Sequence, residues 1–528
     1  MKNFILALSS GLLLAAGWPT YGFPLFLFFA FVPLLLAEFN IRQHHTKSAG
    51  KIFLLAYLSF FLWNIITTNW IYFSTAFGMW FAILVNSLLM TLVFFIYHKI
   101  AKKVNFTAGA TFLICLWMCF EKLHLNWEFS WPWLNLGNGF SEYITWIQWY
   151  EYTGTFGGTL WIWLVNIILF KSIVLYQQHR DKSIIYRGAF KTLFLILLPI
   201  AFSFYLFYTE DESSSEEMEV LILQPNINPY TEKYSTNDRS IGKLLVKLSQ
   251  EKITDTTKLI LAPETVFADG TKIDQFKYSN AYFFGKEMTI NHDQANFLGG
   301  ISFFKLIKDE QKTSSQSNYY KEGTWYNDYN SAFLINQTEV AQTYHKSKLV
   351  VGVENFPYQS ILKPILGDVM IDLGGTVAMK TTQPDRAVFQ LNSGEKVAPI
   401  ICYESIYGEY VTNYVKNGAS LLAIITNDAW WGNTQGHQQH LSYARLRAIE
   451  NRKNVVRSAN TGISAVINSK GEITSSLGYA QQGSIKAKVK LNTKKTFYTR
   501  FGDYLPRVAQ FLTLFIFLFA IVRKRKSI

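Results

Sequence analysis

Charge is scarce in this sequence. Only 16% of its 528 residues are Asp, Glu, Lys or Arg, where a soluble chain carries about 25%. Hydrophobic residues make up 49%. That imbalance excludes an ordinary soluble chain and points to membrane segments. Cysteine is scarcer still, with three in all. Cys115 and Cys119 lie one helical turn apart in an apolar run, where a packing role is expected. Cys402 then stands alone in the polar part, which excludes a disulfide framework there. Zinc-finger spacing, a phosphate-cradling glycine loop and internal repeats are also missing. No metal or cofactor is expected. The net charge of +13 raises nucleic acid as a partner. Its basic residues flank apolar runs, however, so membrane orientation is the better reading and no nucleic acid is expected.

A membrane helix needs about 20 mostly apolar residues. Candidate spans lie near 4–18, 22–39, 52–73, 77–97, 106–120, 157–176 and 190–208, with an eighth near 506–522. The first, short and behind Lys2, also has the form of a secretory signal. The next run follows at once after Trp18-Pro19, as in a tight hairpin. Arg42, Lys47 and Lys51, then Lys99, Lys102 and Lys103, then Arg180, Lys182 and Arg187 mark alternate loops, and Arg523–Lys526 ends the chain. The positive-inside bias puts both termini in the cytoplasm and the long segment after span seven outside. The domains expected are 1–209 (transmembrane), 210–500 (external) and 501–528 (a last helix with a basic tail). Trp127, Trp131, Trp133, Trp146 and Trp149 suit an interfacial aromatic belt.

The external segment reads as α/β. Short β-branched runs recur at Val220–Leu223, Leu259–Leu261, Phe297–Ser302, Ala332–Ile335, Val397–Cys402, Leu421–Thr426, Asn454–Ser458 and Ile463–Ile467, with helical patterns between some of them. The polar stretch 305–329 reads as a mobile loop. The apolar stretch Phe356, Tyr358, Ile361, Leu362, Ile365, Leu366, Val369 and Met370 reads as a lid that dips toward a bilayer surface, or as ordinary packing.

Three patterns carry chemistry, each weak alone. In Leu261-Ala262-Pro263-Glu264-Thr265 a carboxylate follows an apolar strand, which can deliver it rigidly to a site; it can equally be a surface Glu at a turn. In Tyr344-His345-Lys346-Ser347-Lys348-Leu349, with Glu354 beyond, a Lys near carboxylates can stay cationic and stabilise an oxyanion; the plain alternative is a solvated charge cluster. In Pro399-Ile400-Ile401-Cys402-Tyr403-Glu404-Ser405 a strand ends at a cysteine before a helical segment. A helix N-terminus and a nearby Lys favour thiolate over thiol, against the alternative of a buried structural Cys.

The order Glu, Lys, Cys resembles the triad of the nitrilase superfamily. The match continues through Thr426-Asn427-Asp428-Ala429-Trp430-Trp431-Gly432, His440, Ala444–Asn451 and Arg457-Ser458-Ala459-Asn460-Thr461-Gly462. Together with the span layout and Trp131-Pro132-Trp133-Leu134-Asn135-Leu136-Gly137, it resembles the membrane-bound apolipoprotein N-acyltransferase family over essentially the whole chain. The resemblance implies a multi-pass α-helical membrane domain plus a periplasmic nitrilase-like αββα sandwich, in the bacterial inner membrane. It implies lipoprotein biosynthesis by ping-pong acyl transfer. A phospholipid acylates Cys402 as a thioester, and the α-amine of a diacylglyceryl-cysteine apolipoprotein takes the acyl chain.

In that reading Glu264 is the base, Lys346 the oxyanion cation and Cys402 the nucleophile. Glu354, Tyr403 and Glu404 support them, with a backbone N–H near Tyr403 at the oxyanion and a surface role for Glu404 left open. Tyr234, Trp430 and Trp431 are the substrate-binding candidates. Val351-Gly352-Val353-Glu354 departs from the family's Pro-Phe-Gly-Glu, Tyr234 takes the place of a Trp, and Trp431 that of a Phe. A monomer is expected. The alternative is a membrane-tethered carbon-nitrogen hydrolase (amidase or nitrilase) acting on a small substrate with the same triad. His437 and His440 carry too few partners for a metal site.

Overall fold

The computed structural model describes residues 1–44, 48–210, 216–227, 237–311, 314–336, 341–366 and 379–522. They fall into two compact units. One comprises Met1–Tyr72, Met79–Glu210 and the chain from Phe501 on; the other comprises Phe73–Gly78 and the remaining chain up to Arg500.

The first unit is helical. Its long apolar helices are α2 (Pro24–His44), α3 (Ala49–Phe73), α4 (Ala76–Ala101), α5 (Phe106–His124), α6 (Thr155–His179), α7 (Lys182–Thr209) and α13 (Tyr504–Val522), preceded by the shorter α1 (Lys2–Ala16). Each of the seven is long and apolar enough to cross a membrane, so the chain is a multi-pass membrane protein. Helix α1 belongs to the bundle: Ala7, Ser10, Gly11 and Leu14 are buried, and the Ser59 hydroxyl donates to the Ala7 carbonyl at 2.7 Å.

A buried carboxylate organises the irregular segment between α5 and α6. Glu121 accepts from Trp117 Nε1 (3.0 Å) and the Leu136 amide (2.8 Å) on one oxygen and from the Thr159 hydroxyl (2.7 Å) on the other. Gly137 is required beside it, because a Cβ there would lie 1.8 Å from the Thr155 carbonyl oxygen. The Trp-Pro-Trp-Leu-Asn-Leu-Gly stretch is therefore folded into the bundle. Trp133 packs edge-on against Trp70 with centroids 4.8 Å apart, and Trp133 and Trp149 are buried, so these two are core residues and not belt anchors. Glu121→Ala orphans three donors. Each costs about 1–3 kcal/mol when left unsatisfied, so the Tm in detergent should fall by several degrees; an unchanged Tm would contradict this role.

The second unit is a two-sheet sandwich. One sheet has the order β14 (Gly483–Lys490), β1 (Glu217–Gln224), β2 (Thr257–Leu261), β4 (Asn296–Lys308), β6 (Thr324–Ile335), β5 (Asn318–Lys321), with β3 (Phe267–Lys272) on β4 and β7 (Gln342–His345) on β6. The other runs β13 (Ile473–Leu477), β12 (Ser464–Ile467), β11 (Val455–Ala459), β10 (Leu421–Thr426), β9 (Lys396–Ile401), β8 (Phe389–Gln390). The two-residue period of a strand decides the packing. Val220 and Ile222 of β1 enter the core shared with β9 and β10, whereas Leu221 and Leu223 enter a second core with α8 (Asp238–Gln250) and α9 (Asn280–Thr289). Helices α11 (Gly408–Lys416) and α12 (Gln435–Asn451) pack on the other sheet. This is the expected αββα arrangement.

Among its described residues, the stretch 305–329 is largely strand and not a loop. Strands β4 and β6 pair without interruption from Phe297↔Ile335 to Lys308↔Thr324. Its Asn, Tyr and Lys content hides a β4–β6 hairpin that β5 joins through Asn318↔Tyr326 and Tyr319↔Trp325. In the stretch read as a lid, Phe356 is buried while Ile361 of α10 (Gln359–Leu366) is 61% exposed. Val369 and Met370 lie outside the described residues.

Candidate active site

Three separate chain segments converge at one end of the sandwich. Glu264 stands three residues past β2. Its turn lies directly on β4, where the Gly300 amide donates to the Pro263 carbonyl at 3.0 Å. A Cβ on Gly300 would come within 2.2 Å of the Thr265 nitrogen, so the approach requires glycine. Lys346 follows β7, its amide bonded to the Asn330 carbonyl at 2.8 Å. Cys402 follows β9 and opens a five-residue 3₁₀ turn, Cys402–Ile406. Its φ of +49° is the left-handed region, which costs a non-glycine residue about 1–3 kcal/mol and is characteristic of functional sites.

Lys346 is 2% exposed and lies between two carboxylates, 2.9 Å from Glu264 Oε1 and 3.0 Å from Glu354 Oε1. Burial works against its charge, but Glu264, Glu354 and Cys402 outweigh that and hold the ammonium well above the usual lysine range. Asn330 Nδ2 bridges the same two oxygens, at 2.7 Å and 3.0 Å. Because its neighbours are carboxylates, that atom is the amide nitrogen. The second oxygens accept from backbone: Asn427 N to Glu264 (3.2 Å) and Val350 N to Glu354 (2.8 Å). Asn330 Oδ1 and Asn427 Nδ2 are buried with no partner among the described residues, leaving one acceptor and one donor over beside Glu264.

The cysteine corrects one expectation. Burial and the Glu264 charge push its thiol well above the ordinary range; Lys346 and a hydrogen bond with Thr426 oppose this, and Asp428 adds to it. The resting group is a thiol, not a thiolate. One short 3₁₀ turn and one shared lysine do not offset desolvation.

Behind the turn is a buried polar cluster. Asp428 pairs with His440 Nδ1 at 2.9 Å and with the Arg457 guanidinium. The other His440 nitrogen meets Ser405 Oγ at 2.9 Å and the Cys402 carbonyl at 3.2 Å. Arg457 and His440 hold the Asp428 carboxyl far below its ordinary range despite burial. Cys402, Asp428 and His440 have ligand-type atoms within 4.8 Å of one another. A cation there would face the guanidinium already on Asp428, so the set does not fit a metal. Arg447 is likewise buried, bonded to Glu450 at 3.0 Å.

Of the remaining sequence candidates, Tyr403 and Glu404 share the Cys402 turn. Glu404 is fully buried and bonded to the Ile401 amide at 2.9 Å, so a surface role is excluded. Tyr403 is buried, edge-on to Tyr407 at 5.3 Å. Trp430 and Trp431 are half-buried on the turn after β10, with Trp431 5.5 Å from the His440 ring. Tyr234 lies outside the described residues. Sequence reasoning missed Asn330 because the start of β6 was read as loop. Asn330→Ala removes both bridging bonds. Hydrogen bonds to charged groups are worth about 1.5–3 kcal/mol, so turnover should fall about 10- to 100-fold with the fold intact by circular dichroism; wild-type turnover would contradict the bridging role.

Similarity to known proteins follows this division. Residues 10–168 match the apolipoprotein N-acyltransferase N-terminal domain. Residues 311–497 match carbon-nitrogen hydrolase, a span that holds Lys346 and Cys402 but begins beyond Glu264. An apolipoprotein N-acyltransferase of Chlorobaculum tepidum is 27% identical over 99% of this chain and 97% of its own length. One of Geobacter metallireducens is 26% identical over 95% and 92%. Over nearly its whole length the chain is similar to apolipoprotein N-acyltransferases. It is a membrane-embedded acyltransferase with a carbon-nitrogen hydrolase domain. Among solved structures, Saccharomyces cerevisiae Nit3 is similar at 16% identity and a TM-score of 0.36, over 53% of this chain and 92% of Nit3. An amidase of Nesterenkonia is similar at 15% and 0.36, over 55% and 96%.

Proposed function

We propose that this acyltransferase moves a fatty acyl chain from a phospholipid, through a thioester on Cys402, to the α-amine of an N-terminal diacylglyceryl-cysteine of apolipoproteins. The observation that carries the reading is the buried thiol beside a lysine held between two carboxylates, on a chain with seven helices fit to cross a membrane. A protonated thiol needs a base, and Glu264 is the carboxylate that raises its pKa most strongly. Glu264 takes the Cys402 proton as the sulfur attacks the ester carbonyl. The tetrahedral oxyanion forms against the Lys346 ammonium and a backbone N–H near Tyr403. Collapse breaks the ester C–O bond, and the departing lysophospholipid alkoxide takes the proton from Glu264. The α-amine then attacks the thioester and gives its proton to Glu264. The C–S bond breaks, and the thiolate is reprotonated.

Glu354 and Asn330 keep Lys346 and Glu264 in register. Asn330 Oδ1 and Asn427 Nδ2 supply an acceptor and a donor for substrate. Trp430 and Trp431 supply apolar surface for the acyl chain. The basic loops orient the protein with its sandwich on the periplasmic face of the inner membrane. It works as a monomer.

The test is a product assay in detergent with phospholipid and a diacyl lipopeptide. N-acylated peptide and lysophospholipid should appear in equal amounts. Free fatty acid or ammonia without N-acylated peptide would overturn the reading in favour of a tethered hydrolase.

A further inference from the structure

Glu404 is a buried carboxylate that the acyl-transfer steps do not use. It is saturated. Oε1 accepts from the Tyr344 hydroxyl at 2.7 Å, the Tyr410 hydroxyl at 2.6 Å and the Ser347 amide at 2.7 Å. Oε2 accepts from the Ile401 amide at 2.9 Å and the Tyr414 hydroxyl at 3.1 Å. Tyr344 and Ser347 flank Lys346, and Ile401 precedes Cys402. One carboxylate therefore ties the lysine loop to the nucleophile turn, which holds its left-handed φ only while its flanks are fixed.

No cation among the described residues forms an ion pair with Glu404. Positive charge reaches it through the phenols. Arg386 NH1 donates to the Tyr344 hydroxyl oxygen at 3.0 Å and to the Tyr410 hydroxyl oxygen. Its guanidinium carbon sits 4.2 Å from the centre of the Tyr410 ring. Burial and the Glu404 charge push both phenols well above the usual tyrosine range, so each keeps its single proton. Their two protons are shared among the two contacts to Oε1 and the 2.7 Å hydrogen bond between the phenol oxygens themselves, in which either can donate, while a lone pair of each turns to the guanidinium. A donor that also accepts from a cation is polarised and donates more strongly. The rest of Arg386 is anchored: NH2 donates to the Pro384 carbonyl at 2.7 Å, and its own carbonyl accepts from Asn417 Nδ2 at 2.6 Å.

We propose that Arg386 is a positioning residue of the acyl-transfer site. Through Tyr344 and Tyr410 it holds Glu404 in the geometry that locks the Cys402 turn to the Lys346 loop. This rests on the thioester reading above. Arg386 is half-buried and touches no reacting atom, so its removal leaves the sandwich core intact.

The experiment uses full-length R386Q, Y410F and the double variant in detergent, with phospholipid in mixed micelles. It reads single-turnover thioester formation by intact mass, KM for phospholipid, and Tm. Thioester formation should fall about 10- to 100-fold in each single variant, with KM and Tm close to wild type. The double variant should be no slower than the slower single, because both act through one path. R386A should regain rate on addition of methylguanidinium. A folded R386Q that forms thioester at the wild-type rate, or a loss that only tracks a lowered Tm, would overturn the positioning role. A wild-type enzyme that forms no thioester in the same assay would count against the acyl-transfer reading itself, and the role would fall with it.

Discussion

Replacing Cys402 with alanine should abolish acyl transfer, by about 10⁴-fold or more, as expected when a covalent nucleophile is lost. The sulfur makes the acyl bond of the first step and is the leaving group of the second, and no second thiol of the sandwich unit can replace it: Cys115 and Cys119 lie in α5 of the helical unit. Intact mass after incubation with phospholipid alone should show one acyl increment in the wild type and none in Cys402→Ala. Retained N-acylation in the alanine variant would mean that the amine attacks the phospholipid directly. The raised thiol pKa adds a pH signature. An ordinary thiol of pKa about 8.5 is a few per cent thiolate at neutral pH; this one is less ionised. Alkylation of the resting enzyme by iodoacetamide should therefore be slow at pH 7 and should still be climbing, about tenfold per pH unit, past pH 8.5. A plateau near neutral pH would show a thiolate at rest and remove the need for Glu264 as base.

What the sequence made legible divides along physical lines. Glu264, Lys346 and Cys402 each follow a strand, and strand ends are readable from β-branched runs. Spans were readable because the hydrocarbon thickness imposes a length. Asn330 was not legible. Its role comes from two carboxylates brought to it from 66 and 24 residues away, and no local pattern encodes that. Arg386 is hidden for the same reason, since its partners arrive from β7 and α11. The hairpin at 305–329 was missed because its pairing is carried by backbone bonds and aromatic residues within a polar composition. The cysteine's charge state was misjudged because a local motif argument counts the helix end and the lysine but not burial, which the tertiary fold alone sets. Trp133 and Trp149 were placed at the interface by residue type, and the fold uses them as packing.

Lys346→Met should reduce acyl-enzyme formation by at least about 10³-fold, for two separable reasons. The first is loss of the one buried ammonium facing the developing oxyanion, a kind of loss that costs about 10²–10³ in rate. The second is what remains. Glu264 and Glu354 share Asn330 Nδ2 at 2.7 Å and 3.0 Å, and without the lysine its ammonium no longer separates them. Removing one partner of a buried pair costs about 3–5 kcal/mol. The site relieves this by taking up a proton, because two adjacent carboxylates resist double ionisation. A proton held between them disables Glu264 as base. The double variant Lys346→Met with Glu354→Gln separates the two effects. It removes the repulsion, so its Tm should recover toward wild type, while single-turnover thioester formation should stay at least about 10²-fold down for want of the oxyanion cation. If the double variant regained both stability and rate, Lys346 would be a structural counter-ion only. The oxyanion would then rest on backbone donors at the Cys402 turn.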